Sequence, residues 1–327
     1  MACEQMRSLD PYEQLKVVLN RDGTLTRLQP LQTVAASENI KERTVISKDI
    51  TLNTQKRTWV RIFRPSKLPS NDRVTVRLPV SIYFHGGGMI HNGPDTIFCH
   101  EFCENFVRFG PAIVVSVAYR LAPEHRLPAA YEDGEDALLW LKNQALSPDG
   151  QPWLKNYADF SRCFLTGWNS GGNIAYNVRL RSLDMDLAPV KIQGTILDQP
   201  FFGGIERTDS EVEFADDQIL PLSVTDLIWE LALPLDADRD HEYCNPMVRG
   251  SHSAKIGSIG RVIVRGYGGD ITIDRQMELV QMLVKHGVRV EARFEEVGFH
   301  GIDHIDRSRA IETMAIFKQF ILGSPNA

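Results

Sequence analysis

Gly167-Trp168-Asn169-Ser170-Gly171-Gly172 is the stretch whose reading decides the fold. It follows an apolar run, Arg162-Cys163-Phe164-Leu165-Thr166, and precedes a helix-like stretch, Asn173-Ile174-Ala175-Tyr176-Asn177-Val178. Strand, glycine-flanked sharp turn and helix is the context of a nucleophile elbow, G-x-S-x-G. Gly167 opens the turn, and Gly171 lets the helix pack close behind it. The middle departs from the pattern. In this register the nucleophile position is Asn169, whose amide has no hydroxyl to deprotonate.

Outward from that turn, apolar runs alternate with helical patterns. Val45–Leu52 and Thr58–Phe63 read as two strands joined by a polar turn. Arg77–Phe84 is a continuous apolar run, as expected of a strand buried on both faces, and it ends in His85-Gly86-Gly87-Gly88. Backbone without side chains at a strand end can aim N–H groups at a ligand. Ala112–Ala118, Lys191–Leu197, Arg261–Arg265 and Arg289–Phe294 read as further strands. Pro128–Lys142, Asp274–His286 and Ser308–Leu322 read as helices. Residues 203–245 break the alternation with acidic loops around an amphipathic stretch, Val224–Leu233, and are expected to form an inserted cap. Residues 1–45, with a helix-like patch from Pro11 to Leu19, read as an N-terminal extension that joins it. The expectation is one α/β domain over 1–327, with a mostly parallel sheet and helices on both faces. Chemistry in such sheets gathers at the carboxyl ends of strands. The glycines after Phe84, the elbow, Asp270 and His300 all stand there.

Composition narrows the function classes. Hydrophobic residues are 43%, charged residues 24%, and the net charge is −6 with a pI near 5.9. That balance argues against nucleic-acid and anionic-membrane partners. No apolar run approaches a membrane span, and MACEQMRSLDPYEQL lacks a charged-then-apolar signal, so a cytosolic protein is expected. Cys3, Cys99, Cys103, Cys163 and Cys244 are scattered and odd in number, which reads as free thiols. Cys99 and Cys103 share a helix face near His100, yet no second ligand pair accompanies them, so neither metal nor cofactor is expected.

Several longer motifs carry a resemblance: YFHGGG (Tyr83–Gly88), VAYRLAPEHRLPAAYED (Val117–Asp133), GGNIAY (Gly171–Tyr176), DHEYCNP (Asp240–Pro246) and GGDITIDRQ (Gly268–Gln276). With PYEQLKVVLNRDGTLTR near the start, they resemble the plant carboxylesterases of the hormone-sensitive-lipase-like branch of the α/β-hydrolases. That branch also holds gibberellin receptors, hydroxyisoflavanone dehydratases and alkaloid cyclases, so the resemblance leaves the reaction open. It implies an oxyanion hole from the N–H groups of Gly87, Gly88 and Ser170, a catalytic acid at Asp270 and a catalytic histidine at His300. Asp274 is the weaker acid candidate, with helix capping as its ordinary role, and His304 is expected to be exposed. Trp168 and His85 are taken as substrate-contacting residues. The family's elbow reads glycine, acidic residue, serine, alanine, glycine, glycine. Here Trp168, Asn169 and Ser170 fill the middle.

Three readings follow. In the first, His300, oriented by Asp270, is a general base for cyclisation, isomerisation or elimination on a small apolar carbonyl-containing metabolite, with Asn169 orienting it. In the second, the elbow is slipped and Ser170 serves as the nucleophile of a carboxylesterase. In the third, the pocket binds a small molecule without chemistry. Conversion of Asn169 to aspartate has no direct support in the sequence. A monomer or a homodimer is compatible with all three readings.

Overall fold

The structure, a computed structural model, describes residues 10–68, 70–71, 74–110, 112–248 and 253–323. Cys3 lies outside them. The sheet strands are β1 (Val45–Asn53), β2 (Thr58–Pro65), β3 (Leu78–Phe84), β4 (Ile113–Ala118), β5 (Ala158–Trp168), β6 (Ile192–Asp198), β7 (Arg261–Tyr267) and β8 (Arg289–Glu295). They lie in the order β8-β7-β6-β5-β3-β4-β2-β1, and β2 alone runs against the rest.

The apolar runs become the middle of the sheet because both of their faces are covered. Every residue of β3 is buried. Val80, Ile82 and Phe84 enter the core on one face, together with Leu138, Leu141, Ile174, Val178, Leu279 and Leu283. These six come from helices α2 (Ala129–Leu146), α3 (Ser170–Arg181) and α5 (Ile273–Lys285). Tyr83 points to the other face, with Phe63, Phe164 and Ile263. There α1 (Ile97–Phe109) contributes Phe102 and Phe106, and α6 (Arg307–Leu322) contributes Met314, Phe317 and Phe320. Full burial of each such side chain stabilises the fold by about 1.5–3 kcal/mol.

The cap is built from two distant segments. Helix α4 (Leu222–Ala232) packs against the short helix Pro11–Gln14. Arg126 ties α4 to the body by donating to the carbonyls of Glu230 and Leu233 at 2.6 and 2.7 Å. Inside the cap, Trp229 stacks on Phe201 at 4.8 Å between ring centroids. The buried Arg275–Glu211 pair anchors the loop before α4, at 3.0 Å. The N-terminal segment differs from its sequence reading: the helix stops at Gln14, and Val17–Leu19 pairs with Leu25–Arg27 as a hairpin. Val17 and Val18 are β-branched and precede an Asn-Arg-Asp-Gly turn, a combination that favours a hairpin over another helical turn.

Among the described residues Cys99, Cys103, Cys163 and Cys244 are free and buried. No group of His, Cys, Asp or Glu among them is placed to hold a metal ion, and no helix is long and apolar enough to cross a membrane.

Candidate active site

Two glycine pairs shape the backbone here. At the elbow, a Cβ on Gly171 would overlap the Phe84 carbonyl oxygen, and one on Gly167 would overlap that of Gly171. The turn closes only because both lack one. Between them Asn169 takes φ 53° and ψ −123°, a positive φ, outside the left-handed helical region, that the sharp turn imposes. Its N–H donates to the Asp198 carbonyl and its carbonyl accepts from the Phe201 N–H, both at 3.0 Å. At the end of β3, Gly87 and Gly88 have φ of 108° and 65°, which turns their N–H groups toward the elbow.

Those N–H groups meet the Asn169 side chain. Gly87 and Gly88 donate to Asn169 Oδ1 at 3.3 and 3.2 Å. The other end of the same amide, Nδ2, lies 2.8 Å from His300 Nε2. His300 Nδ1 lies 2.7 Å from Asp270 Oδ2. The amide thus bridges the glycine donors and the imidazole. With its oxygen taking the N–H groups, Nδ2 donates, so Nε2 offers its lone pair and the proton of neutral His300 sits on Nδ1, facing Asp270.

Asp270 is fully buried. Its Oδ1 accepts from the N–H and hydroxyl of Thr272, both at 2.8 Å, and Gln276 Nε2 donates to Oδ2 at 3.2 Å. Burial raises its pKa, but His300 and Thr272 outweigh that and hold the carboxyl below its usual range. Burial alone would lower the pKa of His300. The Asp270 charge and hydrogen bond, with weaker help from Asp198 and Asp217, turn the net direction upward. Opposite shifts on two partners mark a pair that favours its charged form.

The other sequence candidates fall into place differently. The Ser170 hydroxyl is fully buried, accepts from the Met89 N–H at 3.1 Å and neighbours the Tyr119 hydroxyl. His300 Nε2 has Asn169 as its neighbour instead. Trp168 lines the cavity above the elbow, 5.6 Å from His300 between ring centroids. His85 does not reach that cavity. It is fully buried, stacked on Tyr119 at 4.2 Å with Nδ1 near the Gly86 carbonyl, because the strand turns it under the glycine loop. Burial lowers its pKa to about 4. Asp274 accepts from the Ser210 N–H at 2.7 Å and takes no part in the His300 pair. His304, expected at the surface, packs edge-on against Trp168 at 4.3 Å, because the loop after His300 folds back over the indole. Burial lowers its pKa to about 4 as well.

The cavity has a volume of about 590 Å³. Leu15, Ile219, Val224 and Ile228 give it apolar walls from both cap segments, while Asp216 and Asp217 add carboxylates. Sequence reasoning missed these two and the Thr272–Gln276 support of Asp270. The support had a visible signal, since an Asp followed by Thr two residues later at a helix start is a local hydrogen-bonding pattern.

Comparison with known proteins agrees with this architecture. The family described as alpha/beta hydrolase fold matches residues 81–304. Probable carboxylesterase 9 of Arabidopsis thaliana is 45% identical over 323 residues, covering 98% of this chain and 100% of that one. The 3-O-acetylpapaveroxine carboxylesterase CXE1 of Papaver somniferum is 47% identical over 322 residues, covering 96% and 98%. Among solved structures, a thermostable esterase from Pseudomonas putida superposes with a TM-score of 0.71 at 20% identity, covering 88% of this chain and 84% of that one.

Proposed function

The chain belongs to the α/β-hydrolase family, in its plant carboxylesterase branch, and we propose that it works on a small carbonyl-bearing metabolite by general-base chemistry rather than through an acyl-enzyme. The reaction is a cyclisation, isomerisation or elimination that begins with proton abstraction beside the carbonyl. The observation that carries this reading is the intact His300–Asp270 pair with an amide, not a hydroxyl, on Nε2. An amide cannot form an ordinary ester intermediate, so the covalent route loses its first step. What the amide does is donate to Nε2 of the neutral imidazole, so that the lone pair a base needs is aimed at the elbow tip.

The remaining parts take complementary roles. Gly87 and Gly88, with the Ser170 N–H at the helix start, stabilise an enolate oxygen. Their contacts to Asn169 are longer than the ~2.9 Å optimum, so an oxygen with more negative charge can displace the amide carbonyl. Asn169 then turns its amide to the substrate. Trp168 and the apolar cap residues hold the body of the metabolite. Asp216 and Asp217 favour one that carries a protonated amine. One relative is named for 3-O-acetylpapaveroxine, and a compact organic molecule suits a cavity of this volume.

A second reading rests on the same bridge. In the resting site the Gly87 and Gly88 N–H groups and the His300 imidazole are already bonded to Asn169, which suits a protein that binds its ligand and leaves it unchanged. The experiment that separates them screens amine- and carbonyl-bearing plant metabolites for binding, then follows the tightest binder by mass. An equal-mass product means cyclisation or isomerisation, and a loss of water or acid means elimination. His300→Ala is expected to leave affinity nearly intact and to slow turnover by roughly a hundredfold or more. If the wild type converts its tightest binder no faster than buffer does, the binding reading replaces the catalytic one.

A further inference from the structure

The ψ of −123° at Asn169 has a consequence for the residue's own side chain. Substituents on a tetrahedral carbon lie about 120° apart in projection. This ψ therefore brings the Ser170 nitrogen into line with Asn169 Cβ about the Cα–C bond. The five-membered imide ring that can join the Ser170 nitrogen to the Asn169 amide carbon needs that eclipsed arrangement. In a helix or a strand, ψ near roughly −42° or +135° turns the following nitrogen well away from Cβ. The Ser170 nitrogen is also uncommitted within its helix, because the first N–H groups of a helix have no intrahelical acceptor.

The second observation concerns the amide itself. Its oxygen is the acceptor of two backbone N–H groups, from Gly87 and Gly88. Its nitrogen faces an imidazole that is backed by a carboxylate. Those are the places of the carbonyl oxygen and the leaving group in an acyl-transfer site. Here the acyl group lying across them is the carboxamide of Asn169.

We propose that Asn169 is a modification site: the protein deamidates it within its own active site, through a cyclic imide with the Ser170 nitrogen, leaving a carboxylate at the elbow tip. The Ser170 nitrogen loses its proton to water in the cavity and bonds to Cγ. The Cγ oxygen takes the negative charge and is held by the Gly87 and Gly88 N–H groups. In this adduct Nδ2 is an amine with a lone pair, and it accepts a proton from the protonated form of His300. The Cγ–Nδ2 bond breaks and ammonia leaves. Water then opens the imide at either carbonyl, giving aspartate or isoaspartate. The balance is one amide and one water to one carboxylate and one ammonium, with no change of oxidation state.

The product site differs from its parent. His300 comes to lie between two carboxylates, holds its proton at neutral pH and stops serving as a base. Deamidation thus converts a base-bearing site into one with a carboxylate at its tip. The inference goes beyond the catalytic role assigned above and needs no substrate.

The test reads the mass of the protein. The full chain is incubated folded, and separately in denaturant, in buffer made with heavy-oxygen water, and is then cut with trypsin. The peptide Cys163–Arg179 carries Asn169 together with Asn173 and Asn177 as internal references. Conversion at 169 is expected to run at least about tenfold faster in the folded chain than in the denatured one, a barrier difference of ~1.4 kcal/mol. The product should be labelled with one heavy oxygen and should include isoaspartate. His300→Ala, and His300→Gln in case the first variant fails to fold, should slow conversion by roughly a hundredfold. The proposal falls if Asn169 keeps its amide while the denatured chain loses it. It also falls if a folded His300 variant converts as fast as wild type, or if aspartate forms with no isoaspartate, which would make water the attacking group. None of these outcomes bears on whether a metabolite is turned over, so this inference and the functional reading fail separately.

Discussion

Two buried charge clusters stand at the carboxyl end of the same sheet, and they are built for opposite purposes. In one, Asp270 faces His300, and the far side of the imidazole opens through Asn169 onto the cavity. In the other, Arg265 is wrapped by Asp198 at 2.7 Å, the Tyr267 hydroxyl at 2.6 Å, and Asp303. Asp303 also accepts from Thr313 and Gln199, while Gln199 Oε1 takes the Gly301 N–H at 2.8 Å. The Arg265 cluster therefore grips the loop that begins at His300. Burial drives the Asp198 carboxyl up to about 7 despite Arg265, whereas Asp303 stays below the usual range because Arg265 outweighs its burial. One guanidinium thus faces two carboxylates whose pKa values move in opposite directions. A closed cluster in which every guanidinium nitrogen has a partner can hold a loop. A pair whose outer nitrogen is held only by an amide at the cavity wall can exchange a proton once that amide turns aside. The contrast separates positioning from chemistry among residues that look alike in the sequence.

The largest expected effect breaks the first cluster. Asp270→Asn replaces the carboxylate that fixes the His300 tautomer with a group that can stabilise the wrong one. Turnover should fall by roughly a thousandfold or more, with affinity for the metabolite changed far less. The same variant tests pH dependence. A base must be neutral, so activity is lost as pH falls through the pKa of His300. Asp270 raises that pKa above 6.5, so the acid limb of wild type should lie above 6.5, and the limb of Asp270→Asn should move to lower pH. A limb that stays in place would show that His300 is not the titrating base.

Next in size is the second cluster. Arg265→Met leaves Asp198 and Asp303 buried without their cation, which costs about 3–5 kcal/mol of stability. Denaturant unfolding should show the lowered midpoint. The pH limb of any remaining folded enzyme should shift little, because Arg265 acts on the loop and not on the reacting atoms. If stability is unchanged while the pH profile moves, the assignment of the two clusters is reversed.

How much of this was legible depends on the range over which each signal acts. The strands were legible because Leu78–Phe84 and Ile113–Val117 are apolar but for one serine each, Ser81 and Ser116, and lie buried on both faces of the sheet. The elbow was legible because Gly167 answers a close approach to Gly171 within five residues, although Gly171 itself is required by the distant Phe84 carbonyl. Asp270 and His300 follow the last strands but one and last, and the fold brings them together at 2.7 Å. His85 and His304 were misread because burial comes from partners far along the chain: Tyr119 for one, Trp168 for the other. Arg265 sits within a strand pattern in which a charge suggests a surface, and only the fold brings Asp198 and Asp303 to it. The cap walls at Asp216, Asp217 and Ile228 belong to the same class of contact.

The smallest expected effect is a gain, and it tests whether the open cluster still has the alignment of a hydrolase. Asn169→Ser removes the amide oxygen from Gly87 and Gly88 and the amide nitrogen from His300 in one step. A hydroxyl at that position would face Nε2, the arrangement in which an imidazole activates a serine. The oxyanion donors would also be released for a substrate carbonyl. Trp168, 5.6 Å from His300 and packed against Gly86, keeps the space for an acyl group narrow, so the gain should be modest. Release of p-nitrophenol from a short-chain ester is expected to rise by about tenfold over wild type, a fraction of what a complete triad supplies. A phosphonate reagent specific for activated serines should label Asn169→Ser at position 169 and leave wild type unmodified. Labelling of wild type at Ser170 would instead restore the slipped elbow and make the chain a serine carboxylesterase. A variant that is neither labelled nor faster would mean that His300 Nε2 is not aligned on the elbow tip, and the contrast between an open and a closed cluster would lose its chemical content.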